Sequence, residues 1–186
     1  MQTPILKTER LVLRPVTLED APVLQGYFND WEIIKNLSTV VPWPYPDNGT
    51  ETFLRENALP RMERGEACVW AICLRDEGEA PIGLIELEFE TDPERGNRGF
   101  WLARPYQRQG YMSEAVSAVN DFAFFECGLE RLLVMNAYGN AGSRRVKEKT
   151  GAVFLRMGEL AHNSGETRSE VWEVTRENWM KIRRVL

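Results

Sequence analysis

This chain has little of what several large function classes need. A single histidine, His162, and three cysteines, Cys68, Cys73 and Cys127, with no Cys-x-x-Cys spacing, leave almost no material for a histidine-rich metal site, a zinc knuckle, a disulfide frame or a Ser-His-Asp triad. The cysteines read as buried small hydrophobes, and His162, inside His162-Asn163-Ser164-Gly165, as a surface residue of a polar turn; no metal is expected. No run of eighteen apolar residues occurs, and the start Met1-Gln2-Thr3-Pro4 has neither the basic nor the apolar stretch of a secretory signal. A cytoplasmic protein with no membrane partner is therefore expected. A basic excess is also missing: 23 Lys and Arg against 28 Asp and Glu give a net charge of -5, which argues against a nucleic-acid partner and tilts towards a cationic substrate. Among phosphate signatures, the Gly-Lys-Ser/Thr of a nucleotide loop is absent, because Gly110 is followed by Tyr111-Met112. The three spaced glycines of a dinucleotide fold are absent too.

What is there begins with an apolar strand, Arg98 to Ala103, that Pro105 stops by removing a ladder donor. Gly110 then opens a helix. The amides from Gln109 to Ser113 fall in a first turn that has no intrahelical acceptors, so this end attracts anions, and Gly110 allows a close backbone approach that a Cβ resists. One glycine at a strand-to-helix turn is most often ordinary turn chemistry. A second segment changes that: after a strand from Arg131 to Ala137 comes Asn140-Ala141-Gly142-Ser143-Arg144-Arg145-Val146-Lys147-Glu148-Lys149-Thr150-Gly151. A strand, a Gln107-x-x-Gly110 loop, an amphipathic helix, a second strand and an Asn140-x-x-Ser143 helix ending in glycine resembles the GNAT superfamily of acetyl-CoA-dependent N-acetyltransferases. Within it, Thr8-Glu9-Arg10-Leu11-Val12-Leu13-Arg14-Pro15, Pro42-Trp43-Pro44-Tyr45-Pro46 and Thr175-Arg176-Glu177-Asn178-Trp179 look like the ribosomal-protein N-terminal (RimJ/RimL-like) branch. The resemblance covers nearly the whole chain, as one N-acetyltransferase domain over 1–186.

Around these motifs, Arg10 to Val16 reads as a strand, and Thr17 with Asp20 as a capping pair opening a helix towards Phe28. A short helix through Trp31, Ile34 and Leu37 leads into the stiff Pro42 to Pro46. Thr50 to Glu63 is helical by composition, with Pro60 expected to kink or end it. Ala67 to Leu74, Pro81 to Glu90 and the Arg98 strand make a meander; Met112 to Cys127 is an amphipathic helix closed by Gly128; Val153 to Leu160 and Arg168 to Val174 form a hairpin before a final helix. The order is mixed α/β (α+β), antiparallel hairpins around one parallel crossover. The resemblance implies a mainly antiparallel twisted sheet of about seven strands with helices on both faces.

Acetyl transfer from a thioester to an amine needs a polarised carbonyl, a neutral nitrogen and a fate for the thiolate. Backbone N–H groups where the Arg98 strand stops pairing, at Leu102 and Ala103, suit the carbonyl. The resemblance implies that the pantetheine of acetyl-CoA lies along this strand, with the pyrophosphate on the amides of Gln109, Gly110, Tyr111, Met112 and Ser113, Gln107 as the polar head of the motif and Arg108 among the coenzyme-binding residues. It further implies that Asn140 holds the pantetheine and that Ser143 sits near the sulfur, although Asn140 also reads as a plain helix cap. Two positions depart from the pattern: Met112 where glycine or alanine is preferred, and Lys147 where many members carry a tyrosine acid, with Tyr138 in reserve. Met112 keeps open a crowded diphosphate and a non-catalytic acyl-CoA sensor.

Glu86, Glu88 and Glu90 alternate along one strand and so face one way, either as a solvated row or towards the amine; Glu86 or Glu88 is the candidate base. Trp31, Trp43 and Tyr45 read either as a wall of the acceptor cleft or as a packed aromatic cluster. Arg144, Arg145, Lys147 and Lys149 read as contacts to the ribose phosphate or as a solvated helix face. The partners so implied are acetyl-CoA and an amine acceptor, a protein N-terminus or a small amine, with a homodimer by analogy.

Overall fold

The run Ala-Cys-Val-Trp-Ala-Ile-Cys-Leu from Ala67 to Leu74 is apolar at both parities, which suits a strand covered on both faces. In the computed structural model, which describes residues 2–90 and 96–183, it is buried along its whole length as β3, the centre of an antiparallel five-stranded sheet ordered β1-β2-β3-β4-β5. Its neighbours are β1 (Leu6–Lys7), β2 (Leu11–Pro15), β4 (Pro81–Glu88) and β5 (Arg98–Leu102). A second, three-stranded sheet is ordered β6-β8-β7, from β6 (Arg131–Ala137), β7 (Val153–Glu159) and β8 (Arg168–Thr175).

The expected mixed, mainly antiparallel strands with helices on both faces are present, and the finer feature is their division into two sheets. Its cause is local. β5 and β6, joined by the crossover helix α5 (Tyr111–Asp121), meet at their beginnings, where Asn97 N–H donates to the Leu133 carbonyl at 2.7 Å and Leu133 N–H to Asn97 Oδ1 at 2.9 Å. Beyond that point no ladder joins them among the described residues, and they diverge. Gly96 makes the approach possible: at φ +78° a Cβ would stand 2.6 Å from the Leu133 carbonyl oxygen.

Helices cover both faces. On one side α1 (Ala21–Phe28), opened by the Thr17–Asp20 capping box, packs with α3 (Gly49–Phe53) and α4 (Leu59–Glu63) on Val69, Ala71 and Leu84. The short α2 (Trp31–Ile34) lies between them in sequence. Pro60 does not end its helix. A wide turn over Leu54–Ala58, with Leu59 N–H bonded to the Leu54 carbonyl, carries α3 through into α4. On the other side α5, α6 (Ala141–Lys149) and α7 (Arg176–Arg183) close over Trp70, Ile85, Leu87 and Trp172, with Val116 and Trp179, and Phe122 in the wide turn that follows α5, facing inward. Large side chains buried this fully stabilise the fold by roughly 1.5–3 kcal/mol each. Among the described residues no helix is long and apolar enough to cross a membrane.

Candidate active site

Where β5 and β6 part, a cleft of ≈ 1090 Å³ opens. One lip is the loop after β5. Gln107 Nε2 donates to the Leu102 carbonyl at 2.8 Å, Arg108 (φ +64°) and Gly110 (φ +87°) reverse the chain, and α5 begins. Its first internal bond runs from Glu114 N–H to the Gly110 carbonyl, 3.1 Å, so the Tyr111, Met112 and Ser113 amides have no acceptor within the helix. A brace absent from the sequence reading holds this lip: Glu114 accepts from Thr8 Oγ1 (2.6 Å), Arg10 N–H (2.9 Å) and Arg10 Nε (2.7 Å), and Arg10 Nη1 donates to the Gln109 carbonyl (3.1 Å). Met112 is buried in the main core, which takes its side chain away from a bound anion and removes the crowding its size suggested.

The register of β5 decides which amides face the gap. Ala103 N–H donates to the Ile82 carbonyl at 2.9 Å, which makes Leu102 and Gly83 a non-hydrogen-bonded pair of the antiparallel ladder. Leu102 N–H, and by the same alternation Phe100 N–H, therefore point away from β4 towards the divergence. Of the two expected carbonyl donors only Leu102 is available; Ala103 is fully buried and its donor is already taken. Leu102, Gln107, Arg108, Gly110, Tyr111, Met112 and Ser113 all border the cleft, and Gln109 does not. Gln109 instead folds its amide back on Pro105, 2.9 Å.

The opposite lip is the start of α6. Asn140 Oδ1 accepts from Ser143 N–H at 3.2 Å, so it caps the helix, and both residues line the cleft. Ser143 Oγ accepts in turn from Lys147 Nζ at 2.7 Å. Lys147, read either as a ribose-phosphate contact or as part of a solvated face, is buried, 1 % exposed, beside the Phe100 ring. Burial and Arg98 push its ammonium well below the usual lysine range, and Glu170 opposes them. Of the other basic residues of α6, Arg145 and Lys149 border the cleft and Arg144 pairs with the buried Glu170. Tyr138, the reserve acid, is exposed, stacks under Arg168 at 4.1 Å from its ring centre, and does not border the cleft.

The far face of the gap carries the carboxylates. Glu86 pairs with Gly99 across the ladder, where a Cβ would stand 2.7 Å from Glu86 Oε1; the glycine leaves room for the acid. Arg61, from α4, reaches Glu86 Oε2 at 3.4 Å and Glu88 Oε1 at 2.8 Å, and both acids line the cleft. Burial raises the Glu86 carboxyl; Arg61 opposes this and Glu88 adds to it.

The aromatic residues lie elsewhere. Tyr45 is buried against Phe28 with its hydroxyl on Thr50, and Trp31 and Trp43 pack on each other, 5.1 Å between ring centres, outside the cleft. The three form two separate aromatic contacts, with Trp31 and Trp43 exposed, and 35–41 borders the cleft instead. The tip of the β7–β8 hairpin seats on that segment through Thr39 N–H to the Ala161 carbonyl (3.0 Å) and Asn163 Nδ2 to the Val41 carbonyl (2.9 Å). His162 is consequently not a surface residue: it is buried at this seam, borders the cleft, and its Nδ1 faces the Glu166 carbonyl at 3.1 Å. A carbonyl only accepts, so Nδ1 carries a proton, and in the neutral ring Nε2 is the acceptor. Among the described residues no three His, Cys, Asp or Glu side chains are grouped to hold a metal ion.

Residues 10–153 match the family model described as an acetyltransferase (GNAT) domain. The chain belongs to the GNAT family. It is an N-acetyltransferase of that family, 32% identical over 129 residues to the uncharacterized N-acetyltransferase p20 of Bacillus licheniformis, a match spanning 68% of this chain and 70% of that one. The GNAT fold recurs in a ribosomal-protein alanine acetyltransferase from Vibrio fischeri (TM-score 0.77, 20% identity, 95% of this chain and 98% of that). It recurs too in RimL, a ribosomal-protein alpha-N-acetyltransferase solved with coenzyme A (TM-score 0.76, 19% identity, 92% and 98%).

Proposed function

We propose that this GNAT enzyme moves an acetyl group from acetyl-CoA to a primary amine by direct attack in a ternary complex, the acceptor being the N-terminal α-amine of a protein. The observation that carries this reading is the gap between β5 and β6. It has unpaired amides on one lip, Ser143 on the other, and carboxylates on the face where an amine would enter.

The donor set fits a coenzyme with a diphosphate. The first-turn amides of α5 suit the diphosphate oxygens, and Arg108, Arg145 and Lys149 border the cleft as cations for the remaining phosphate. The outward strand edge at Phe100 and Leu102 can pair with amide groups of a pantetheine arm, as an added strand would. Leu102 N–H then polarises the thioester oxygen. Glu86, its carboxyl raised by burial, takes the proton of the attacking nitrogen directly or through water.

An α-amine, with a reference pKa near 8, costs about 1.4 kcal/mol to neutralise at pH 7, against about 4.6 kcal/mol for a lysine. A site whose base is one partly buried carboxylate favours the former. The cysteines support direct attack, since Cys68 and Cys73 are buried within β3 and burial pushes Cys73 and Cys127 up to about 11, leaving no activated thiol for a covalent relay.

Release of free thiol from acetyl-CoA, followed across N-terminal peptides, lysine peptides, polyamines and aminoglycosides, tests the reading. Fastest release with N-terminal peptides is expected. Release only with a polyamine or aminoglycoside makes the acceptor a small amine, and tight coenzyme binding with no release on any amine makes the protein an acyl-CoA sensor.

A further inference from the structure

His162, the chain's one histidine, is held from several sides at the seam where the hairpin tip meets the cleft wall. Nδ1 faces the Glu166 carbonyl, and the tip is pinned by Thr39 N–H to the Ala161 carbonyl (3.0 Å), Asn163 N–H to the Leu37 carbonyl (3.0 Å) and Ser164 N–H to the Lys35 carbonyl (2.9 Å). Nε2 has no hydrogen-bond partner among the described residues and is not sealed from solvent, so this acceptor opens on the cleft that the ring borders. Strand alternation sets which side it serves. On β4, Ile85 and Leu87 belong to the core under α5 and α7, which turns Glu86 and Glu88 the other way; on β6, Leu132 and Val134 do the same for Met135. A Cβ on Gly158 of β7 would stand 3.8 Å from Met135 Cε, so Gly158 shares the Met135 side. Leu160 and His162 follow at the same parity, their N–H groups donating to the Thr167 and Glu166 carbonyls at 2.9 Å. Glu86 on one sheet and His162 at the end of the other therefore face the same side, and both border the cleft.

We propose that His162 Nε2 receives one N–H of the attacking amine and thereby selects primary over secondary amines, an inference that rests on acetyl transfer with Glu86 as the base. A neutral primary amine carries one lone pair and two N–H groups in tetrahedral directions. With the lone pair aimed at the thioester carbon, both N–H groups need acceptors, and Glu86 and His162 supply one each. In the step itself the lone pair forms the C–N bond and the C–S bond breaks with its electron pair on sulfur. One amine proton passes to Glu86 and on through water to the thiolate, which leaves as the thiol. The other N–H stays on nitrogen as the amide hydrogen of the product, and it is the one His162 holds throughout. A secondary amine gives its only proton to Glu86 and has none for His162, so the imidazole acceptor is desolvated without a partner.

The test compares free-thiol release with the fastest amine of the panel above and with its N-methyl derivative, so that a peptide beginning with alanine is paired with one beginning with N-methylalanine. His162→Leu replaces the ring by an apolar side chain of similar size, and the Glu166 carbonyl keeps the backbone N–H of residue 162. In this variant kcat/KM for the primary amine should fall about tenfold and that for the N-methyl form by less than about twofold, with acetyl-CoA affinity as in the wild type. His162→Gln, which can set an amide oxygen near the place of Nε2, should recover most of the primary-amine rate. An equal fall on both acceptors overturns the inference, since it marks a role in structure alone, and so does an unchanged rate on the primary amine. Should His162→Leu fail to fold, His162→Asn carries the same expectation, because its amide can keep the Nδ1 donation without reaching the place of Nε2. A wild type that binds acetyl-CoA and acetylates no amine refutes the acetyl-transfer reading, and the inference falls with it.

Discussion

Glu86 sits where Gly99 leaves it space, with a carboxyl raised by burial, and that placement has opposite consequences for stability and for chemistry. A carboxyl whose folded pKa lies above its unfolded value stabilises the fold fully below the unfolded value. That contribution is lost as pH rises through the folded one. Glu86→Gln keeps the neutral form at every pH, and Arg61 keeps Glu88 at 2.8 Å. At neutral pH the variant should therefore melt at the same temperature or higher, while turnover falls about 10²-fold or more and its acidic limb disappears from the pH profile. Melting curves and initial rates between pH 5 and pH 9 check both halves. A variant with normal rates would move the base elsewhere, with His162 Nε2 as the next group bordering the cleft.

Asn140 gives a second test at this scale. Its cap on Ser143 N–H is worth roughly 0.5–2 kcal/mol, so Asn140→Ala should lower stability to urea by about 1 kcal/mol. Because the same bond sets the position of Ser143, turnover should drop along with it, whereas Asn140→Asp, which keeps the accepting oxygen, should recover the stability.

At the scale of elements, the lip formed by the loop and α5 is held from outside by the β1–β2 turn. Three donors converge on Glu114, and they outweigh burial to hold its carboxyl below the usual range. A depressed carboxyl stabilises the fold above the unfolded value, near 4.5, and the effect is lost as pH falls through the folded one. Glu114→Ala should cost about 2 kcal/mol at pH 7 and little at pH 3, and should weaken coenzyme binding without touching any cleft residue. Urea titrations at the two pH values and a binding isotherm decide it.

The elements themselves were largely legible. Period and capping mark β3, β4, β5, α5 and α6, and Gly128 and Gly151 close helices at φ +70° and +79°. What escaped depends on contacts distant in sequence. Nothing in Ala-Gly-Ser-Arg-Arg-Val-Lys-Glu-Lys says which lysine turns inward, although the four-residue spacing from Ser143 to Lys147 puts both on one face. The wall at 35–41 carries no aromatic residue and one charge, Lys35, and hydrogen bonds to the hairpin tip place it there. At Pro60, expected to kink or end the helix, the ending does not occur: the chain passes it through a widened turn that proline chemistry permits.

For the whole molecule, the cleft is a consequence of two sheets that meet at a single point. It is bordered by Leu102, Glu86 and Arg98 of the five-stranded sheet, by Met135 of the three-stranded one, and by Asn140 and Ser143 at the start of α6, which follows β6. Their separation is set at the vertex by Gly96 and Asn97. Asn97 offers Leu133 both an amide donor and a side-chain acceptor, a two-point join that ends after one residue. Two changes at this point should act differently. Asn97→Ala leaves the buried Leu133 N–H unsatisfied, a cost of about 1–3 kcal/mol, and loosens the angle of the cleft. Gly96→Ala sets a Cβ 2.6 Å from the Leu133 carbonyl oxygen at φ +78°, so the backbones must part. Both variants should lose thermal stability, and Gly96→Ala should lose more coenzyme affinity per unit of stability, because it moves β5 against β6 as well as weakening their join. Coenzyme isotherms taken well below each melting temperature separate the effects. Full affinity in a folded Gly96→Ala protein would show that the vertex holds the fold without setting the width of the cleft.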